Sequence, residues 1–329
     1  MNIALTGFPG CGRSTLFRAL AGCSDADTGK PLTVMVPDPR LDFLDEVHSP
    51  ERKVHATVVF TDVPSPAFAP RNLSAMRSSA VLCLVLENYA LGELSRQFSD
   101  AESELLLEDM SLLEKRLARL RKEGSGSSRE AQLIDRLHAH MEPGTPLRTM
   151  RLDDSEKELL QPYALLTRKP MVVVSNRMGD PVTPEETVLG EVEEHGCSLL
   201  RIDAGFELEL TQLAEDDRPE FLASMGYSSS GLERLVREAY HALDLIVFFT
   251  MGPDEVRAWP VRRGATAVEA AGVIHSDLAR GFIRAQTITF DRYRERPDTA
   301  ALREHGELRV EGRDYVVQDG DILEIRFSV

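Results

Sequence analysis

The stretch Gly7-Phe-Pro-Gly-Cys-Gly12-Arg13-Ser14-Thr15 constrains the fold of this chain more than any other. An apolar run, Asn2 to Thr6, precedes it and reads as a buried strand, and a helical pattern, Thr15-Leu-Phe-Arg-Ala-Leu, begins at once behind it. A glycine-rich turn between a strand and a helix start presents consecutive backbone N–H groups around an anion. The helix dipole adds a field favourable to phosphate. The spacing is that of a P-loop, Gly-x4-Gly-Lys-Ser/Thr, with Arg13 standing in the lysine position. The residues expected at a bound phosphate are Gly7, Gly10, Cys11, Gly12, Arg13, Ser14 and Thr15, with Ser14 also placed to meet a Mg2+ ion. The bland reading of the same residues is a tight strand–helix turn that no longer binds anything.

With 329 residues the chain has room for two or three domains, each with a core of its own. Its apolar fraction of 42% and charged fraction of 28% are those of a soluble globular protein. No apolar run approaches the roughly 18 residues that cross a bilayer. Nor does a basic segment precede an apolar one at the start, so no membrane association and a cytoplasmic location are expected. Cys11, Cys23, Cys83 and Cys197 are isolated from one another, which indicates neither a disulfide framework nor a zinc site. His138 and His140 lie two apart on an expected helix and so point to different faces. The net charge of −16 argues against non-specific coating of nucleic acid. Residues 245–329, however, carry twelve arginines against fourteen acids, a net of −2, and leave −14 to the rest. An arginine-lined surface there is compatible with RNA; a solvated surface of mixed charge is the simpler reading.

Taken in order, Lys53 to Thr61 reads as one β-branched strand ending in Asp62, at a position where P-loop enzymes hold Mg2+ through water. Pro64, Pro66 and Pro70 make the following stretch irregular, and Ala80 to Leu86 is a further buried strand. Leu106, Met110, Leu113, Leu117 and Leu120 then step by fours and threes, and after Gly124 to Ser128 the stripe continues at Leu133, Leu137 and Met141. This is a helical hairpin inserted in an α/β domain, its stripe expected to pack within the chain. Met171 to Asn176 resumes the α/β pattern. Strand–helix alternation implies a mostly parallel sheet with ligands at the carboxyl ends of its strands, where the glycine loop, Asp62 and Asn176 all fall. From Leu245 short strands dominate, with a helix from Thr266, as in a β-grasp arrangement; Trp259 is expected in its core. The expected division is 1–92 with 165–244 as a P-loop domain, 93–164 as the helical arm, and 245–329 as the β-grasp domain.

These pieces together resemble the Obg-like ATPase (YchF-type) family of P-loop NTPases, nearly end to end. The resemblance rests on Gly7 to Phe17, Val36-Pro-Asp-Pro-Arg-Leu-Asp42, Leu166-Thr-Arg-Lys-Pro170 after the hairpin, and Gly231-Leu-Glu-Arg-Leu-Val. It continues through Glu255-Val-Arg-Ala-Trp259, Ala271 to Asp277, Arg280-Gly-Phe-Ile-Arg-Ala285 and Asp314 to Asp321. It implies a G-domain-like core, a coiled-coil arm, a C-terminal TGS-type β-grasp domain, ATP favoured over GTP, Mg2+ held by Ser14 and Asp62, and association with ribosomes. The base-reading positions are carried over to Asn176 and Arg177. Arg257, Arg262, Arg263, Arg280 and Arg284 are the candidate contacts to ribosomal RNA.

Departures from the family gather in the nucleotide site. Arg13 replaces a lysine, and a planar guanidinium is not a compact point charge between phosphates. The family's Asp-x-x-Gly switch reads Asp62-Val-Pro-Ser65, and Asn-x-x-Glu reads Asn176-Arg-Met-Gly179 with Asp180 displaced by one. Hydrolysis is therefore expected to be low or absent, and the choice between adenine and guanine is left open. The expected function is a ribosome-associated, monomeric binder of ATP or GTP. The alternative is a nucleotide-independent adaptor working through the arm and the β-grasp domain. A small-molecule kinase is poorly supported, because no arginine-rich lid accompanies the loop.

Overall fold

The computed structural model describes residues 2–89, 93–179 and 182–328. Its strands are β1 (Asn2–Thr6), β2 (Leu32–Met35), β3 (Arg52–Val54), β4 (Thr57–Asp62), β5 (Val81–Glu87), β6 (Met171–Asn176), β7 (Ser198–Ile202), β8 (Leu245–Met251), β9 (Glu255–Arg262), β10 (Phe282–Thr289), β11 (Arg309–Glu311) and β12 (Asp321–Phe327). They form two six-stranded sheets, ordered β2-β4-β1-β5-β6-β7 and β11-β10-β12-β8-β9-β3. The chain divides into two compact units, one reaching to Val34 and resuming over Val59–Ala242, the other made of Met35–Val58 and the residues from Leu243 on.

In the first unit β1 pairs in parallel with β4 and β5, β5 with β6, and β6 with β7. Central parallel strands are covered on both faces, so they read as unbroken apolar runs. Ile3, Ala4 and Leu5 of β1 and Val81 to Leu86 of β5 are accordingly buried throughout. Helix α1 (Arg13–Leu20) follows β1 after the glycine loop. The carboxyl edge of this sheet thus carries the loop after β1, Asp62 at the end of β4 and Asn176 at the end of β6. This is the mixed α/β fold that the strand–helix alternation implies, with the P-loop, G-domain-like core that the family resemblance implies.

The run Lys53 to Thr61 is two strands, not one. It breaks at His55 and Ala56, giving β3 to the second sheet, parallel to β9, and β4 to the first. β-branched residues favour extended backbone wherever it pairs, so the sequence carries no mark of the change of partner. Ahead of it, Asp38 caps helix α2 (Pro39–His48) by accepting from Arg40 N–H, and Pro39 sits in the first turn, where no N–H is required.

Helices α3 (Leu73–Ser78), α4 (Leu94–Lys122) and α5 (Arg129–Met141) belong to the first unit. Ser128 caps α5 by accepting from Ala131 N–H. Leu113, Leu117 and Leu120 of α4 pack with Leu133, Ile134, Leu137 and Met141 of α5, so the stripe read from the sequence is internal packing of the hairpin. Arg116 clasps the Glu130 carboxylate with two hydrogen bonds of 2.7 and 2.8 Å. Asp109 ties the hairpin to the approach to β6. It is fully buried and accepts from Leu166 N–H, Thr167 N–H, the Thr167 hydroxyl and Arg77.

The second unit pairs β10 antiparallel to β11 and β12, β12 parallel to β8, and β8 antiparallel to β9. Helix Ala267–Ile274 buries Ala267, Ala270 and Ala271 against the sheet and begins with a capping box between Thr266 and Glu269. Trp259 is half-buried, as a core residue at a sheet margin would be. Its ring stacks on Phe248, its indole N–H donates to Thr250 at 2.9 Å, and the Arg257 guanidinium lies 4.0 Å over its outer face. Among the described residues no helix is long and apolar enough to cross a membrane.

Candidate functional site

The loop between β1 and α1 takes its shape from glycines at positions that admit no side chain. A Cβ on Gly7 would stand 2.5 Å from the Val85 carbonyl oxygen. Gly12 has φ +82°, and a Cβ there would stand 2.0 Å from the Asn176 amide nitrogen. Both conditions are steric and exclude other residues without rearrangement. Gly12 is also the N-cap of α1 and supplies no side-chain acceptor, so the amides of the first turn, Arg13 to Thr15, have no capping partner from it. Three such amides at a helix start, with the helix dipole behind them, form the anion-binding element read from the sequence. Cys11 lies buried beneath the loop, and that burial pushes its thiol pKa up, which keeps it neutral.

Arg13 does not extend over the loop. Its side chain is 7% exposed and turns to Asp62, where Nε donates to Oδ1 in a salt bridge. Nη1 points to the Gly7 carbonyl at 3.4 Å and Nη2 to the Ser65 hydroxyl at 3.5 Å. The other Asp62 oxygen accepts from the Ser14 hydroxyl at 2.7 Å. The structure therefore brings Arg13, Ser14 and Asp62 together as one hydrogen-bonded group. As arranged, the group does not fit Mg2+: a guanidinium in contact with Asp62 neutralises the carboxylate that would attract the ion and would repel a dication beside it. Among the described residues no cluster of three or more His, Cys, Asp or Glu side chains is arranged to hold a metal.

The segment after Asp62 is fastened down. The Asn72 side-chain amide donates to the carbonyls of Pro64 and Pro66 at 2.9 and 2.8 Å. Phe68 meets Phe8 of the loop with ring centroids 5.3 Å apart. On the other flank the Tyr89 hydroxyl donates to the Gly10 carbonyl. Sequence reasoning missed Asn72, Phe68 and Tyr89. Only the position of Tyr89, two residues past a buried strand that ends at the sheet's carboxyl edge, gave any signal.

Asn176 is a brace. Its amide nitrogen donates to the Cys11 carbonyl at 2.9 Å, and its amide oxygen accepts from Ala204 N–H at 3.0 Å. It thereby fixes the glycine loop to the start of helix Ala204–Leu210. Asp203 caps that helix through Phe206 N–H and also accepts from Gly179 N–H, which closes the turn after β6. Arg177 points toward Glu185, 3.6 Å away, and lines a cavity of about 590 Å³ with Asp203, Phe206, Tyr227 and Arg234. Asp180 lies outside the described residues.

The five candidate arginines of the second unit do not converge on one patch. Arg257 and Arg262 are five apart on β9 and so emerge on opposite faces of the strand. Arg257 covers Trp259, Arg263 pairs with Asp244 at 3.1 Å and Arg280 with Asp277 at 2.6 Å. Arg284 is exposed on β10, directly across from Arg326 on β12, which is itself paired with Glu324 at 2.8 Å.

Comparison with known proteins places this geometry. The family model YchF-GTPase_C, described as "Protein of unknown function (DUF933)", matches residues 245–328. A ribosome-binding ATPase YchF of Pasteurella multocida is 33% identical over 99% of this chain and 98% of its own length. The Bacillus subtilis protein of the same name is 30% identical over the full length of both. The structure of the Schizosaccharomyces pombe YchF GTPase superposes with a TM-score of 0.88 at 25% identity, over 99% of this chain and 97% of that one.

Proposed function

The chain belongs to the YchF family of P-loop proteins, and from that membership we propose that it binds a purine nucleoside triphosphate, ATP or GTP, and associates with ribosomes in the cytoplasm as a monomer. The observation that supports this reading best is the intact strand–loop–helix. Gly7, Gly10 and Gly12 all have positive φ in the loop, and α1 starts directly after it at the carboxyl edge of a parallel sheet. The relatives named as ribosome-binding ATPases span the same length, which supports carrying the ribosome over to this chain as partner.

Hydrolysis is proposed to be slow or nil. Phosphoryl transfer is catalysed by charge and by positioned donors at the transferred group. Here the only cation of the loop is held by Asp62, Gly7 and Ser65, and the segment that would follow the phosphate is anchored through Asn72 and Phe68. Both polar atoms of the Asn176 side chain are engaged within the chain, by the Cys11 carbonyl and the Ala204 amide, so this side chain is proposed to shape the loop and not to choose between adenine and guanine.

We divide the chain into a nucleotide-binding core, the α4–α5 arm, and a TGS-type β-grasp domain. Contact with ribosomal RNA is proposed for the β-grasp domain, through the exposed Arg284, and for the arm. Calorimetric titration with ATP and GTP tests the first half of this function, and co-sedimentation with ribosomes at low salt tests the second. Saturable binding of one nucleotide with phosphate release at background is expected. Phosphate release well above background, or a chain that neither binds nucleotide nor pellets with ribosomes, would contradict it.

A further inference from the structure

Asp62 is 6% exposed, and both of its carboxylate oxygens are engaged: Oδ1 by Arg13 Nε and Oδ2 by the Ser14 hydroxyl. A buried carboxylate must have a cation or several donors beside it, because an uncompensated charge at low dielectric is expensive. In a P-loop protein that uses a metal, the cation near this acid arrives with the nucleotide. Here the cation is covalently part of the loop, one residue before Ser14.

We propose that the Arg13 guanidinium takes the place of the divalent ion, so that this chain binds nucleotide phosphates without Mg2+. Three features carry the inference. The guanidinium has three protein acceptors, Asp62, the Gly7 carbonyl and Ser65, which hold its planar fork in one orientation. Arginine stays charged at any pH the protein meets, so the carboxylate is permanently neutralised. And a dication brought to Ser14 and Asp62 would sit beside a fixed positive charge, with no further acid cluster among the described residues to offset the repulsion. A lysine at position 13 would differ in kind: its single ammonium is compact and mobile and can leave Asp62 for a phosphate.

The inference rests on the nucleotide-binding reading, and the test separates the two. Binding of ATP to the full chain is measured with millimolar Mg2+ and with EDTA, for wild type and Arg13→Lys. Wild-type affinity should be the same in both conditions within a factor of about two, and Arg13→Lys should gain about tenfold dependence on Mg2+. A wild-type affinity that falls about tenfold in EDTA overturns the proposal. In parallel, thermal unfolding of nucleotide-free protein is followed for Arg13→Ala. Leaving Asp62 buried and unpaired should lower the midpoint by about 5 °C or more, and millimolar Mg2+ should restore much of that loss while leaving wild type unchanged. An Arg13→Ala protein as stable as wild type, or one indifferent to Mg2+, overturns the proposal as well. Absence of ATP binding in every condition refutes the nucleotide-binding function instead, and the melting experiment then decides the role of Arg13 by itself.

Discussion

Arg13 and Asp62, 49 positions apart, form a buried salt bridge at the start of the helix that follows the glycine loop. The pair joins the residue that replaces the loop lysine to the acid at the end of β4. Two departures from the family pattern that look separate in the sequence, an arginine at position 13 and a serine at position 65, meet in it, since Ser65 accepts from the same guanidinium.

The brace at Asn176 is predicted to carry the shape of the loop. Asn176→Ala removes the donor to Cys11 and the acceptor from Ala204, both buried. Stability should fall by about 1–3 kcal/mol, the cost of leaving buried backbone groups unpaired, and nucleotide affinity should fall with it. Urea unfolding measures the first and calorimetry the second. Gly12→Ala should be at least as damaging, because its Cβ would collide with the Asn176 amide at a backbone conformation that alanine resists.

A second buried ion pair stands at the root of the helical hairpin. Arg148 and Glu102 are 4% and 2% exposed and 2.7 Å apart, and Arg148 also donates to the Lys169 carbonyl. Arg148→Met should cost about 3–5 kcal/mol because it strands the Glu102 carboxylate, and adding Glu102→Gln should recover part of that. Burial alone would raise the pKa of Glu102, but the nearby His195, 3.8 Å away, and the charge and hydrogen bond of Arg148 outweigh it and hold the group below its ordinary value. A carboxylate depressed in the folded state stabilises fully above its unfolded pKa, and the contribution is lost as pH falls through the folded value. In Arg148→Met the same carboxyl is buried without its cation, so protonation relieves it, and the stability gap between variant and wild type, read by urea unfolding followed by circular dichroism, should narrow as pH falls from 7 to 4.

In the second unit, His48 Nε2 and the Tyr293 hydroxyl are 2.8 Å apart and their rings stack. Burial holds the pKa of His48 below its ordinary value, and neutral imidazole is the form that can accept from the tyrosine hydroxyl. The unfolded chain then binds more protons between the two pKa values, so stability is full above the unfolded pKa near 6.5 and declines as pH falls toward the folded one. His48→Gln keeps an acceptor without titrating. Between pH 7 and pH 5 its unfolding midpoint should drop less than that of wild type, and equal drops would remove His48 from the account.

Much of the fold was legible because central parallel strands are unbroken apolar runs and the hairpin stripe has helical period. The transfer of residues 52–54 to the second sheet was not, because pairing partners leave no local trace in a β-branched segment. The glycine loop was legible from spacing alone. Its surroundings were less so: that Arg13 folds onto Asp62 depends on a contact between distant positions, and Asn72, Phe68 and Tyr89 carry no motif. The arginines of the C-terminal residues counted as a group in the sequence, but strand alternation and local acid partners disperse them.

A nucleotide phosphate seated on the backbone of the glycine loop would protect the amides of that backbone from exchange. Hydrogen–deuterium exchange of the full chain, with and without saturating ATP or GTP, reads that backbone directly. Peptides covering residues 7–16 should gain protection on nucleotide addition, with smaller gains at residues 176–179 and 203–205 and none on β10 to β12. Unchanged exchange at residues 7–16, with or without protection elsewhere, would contradict the account.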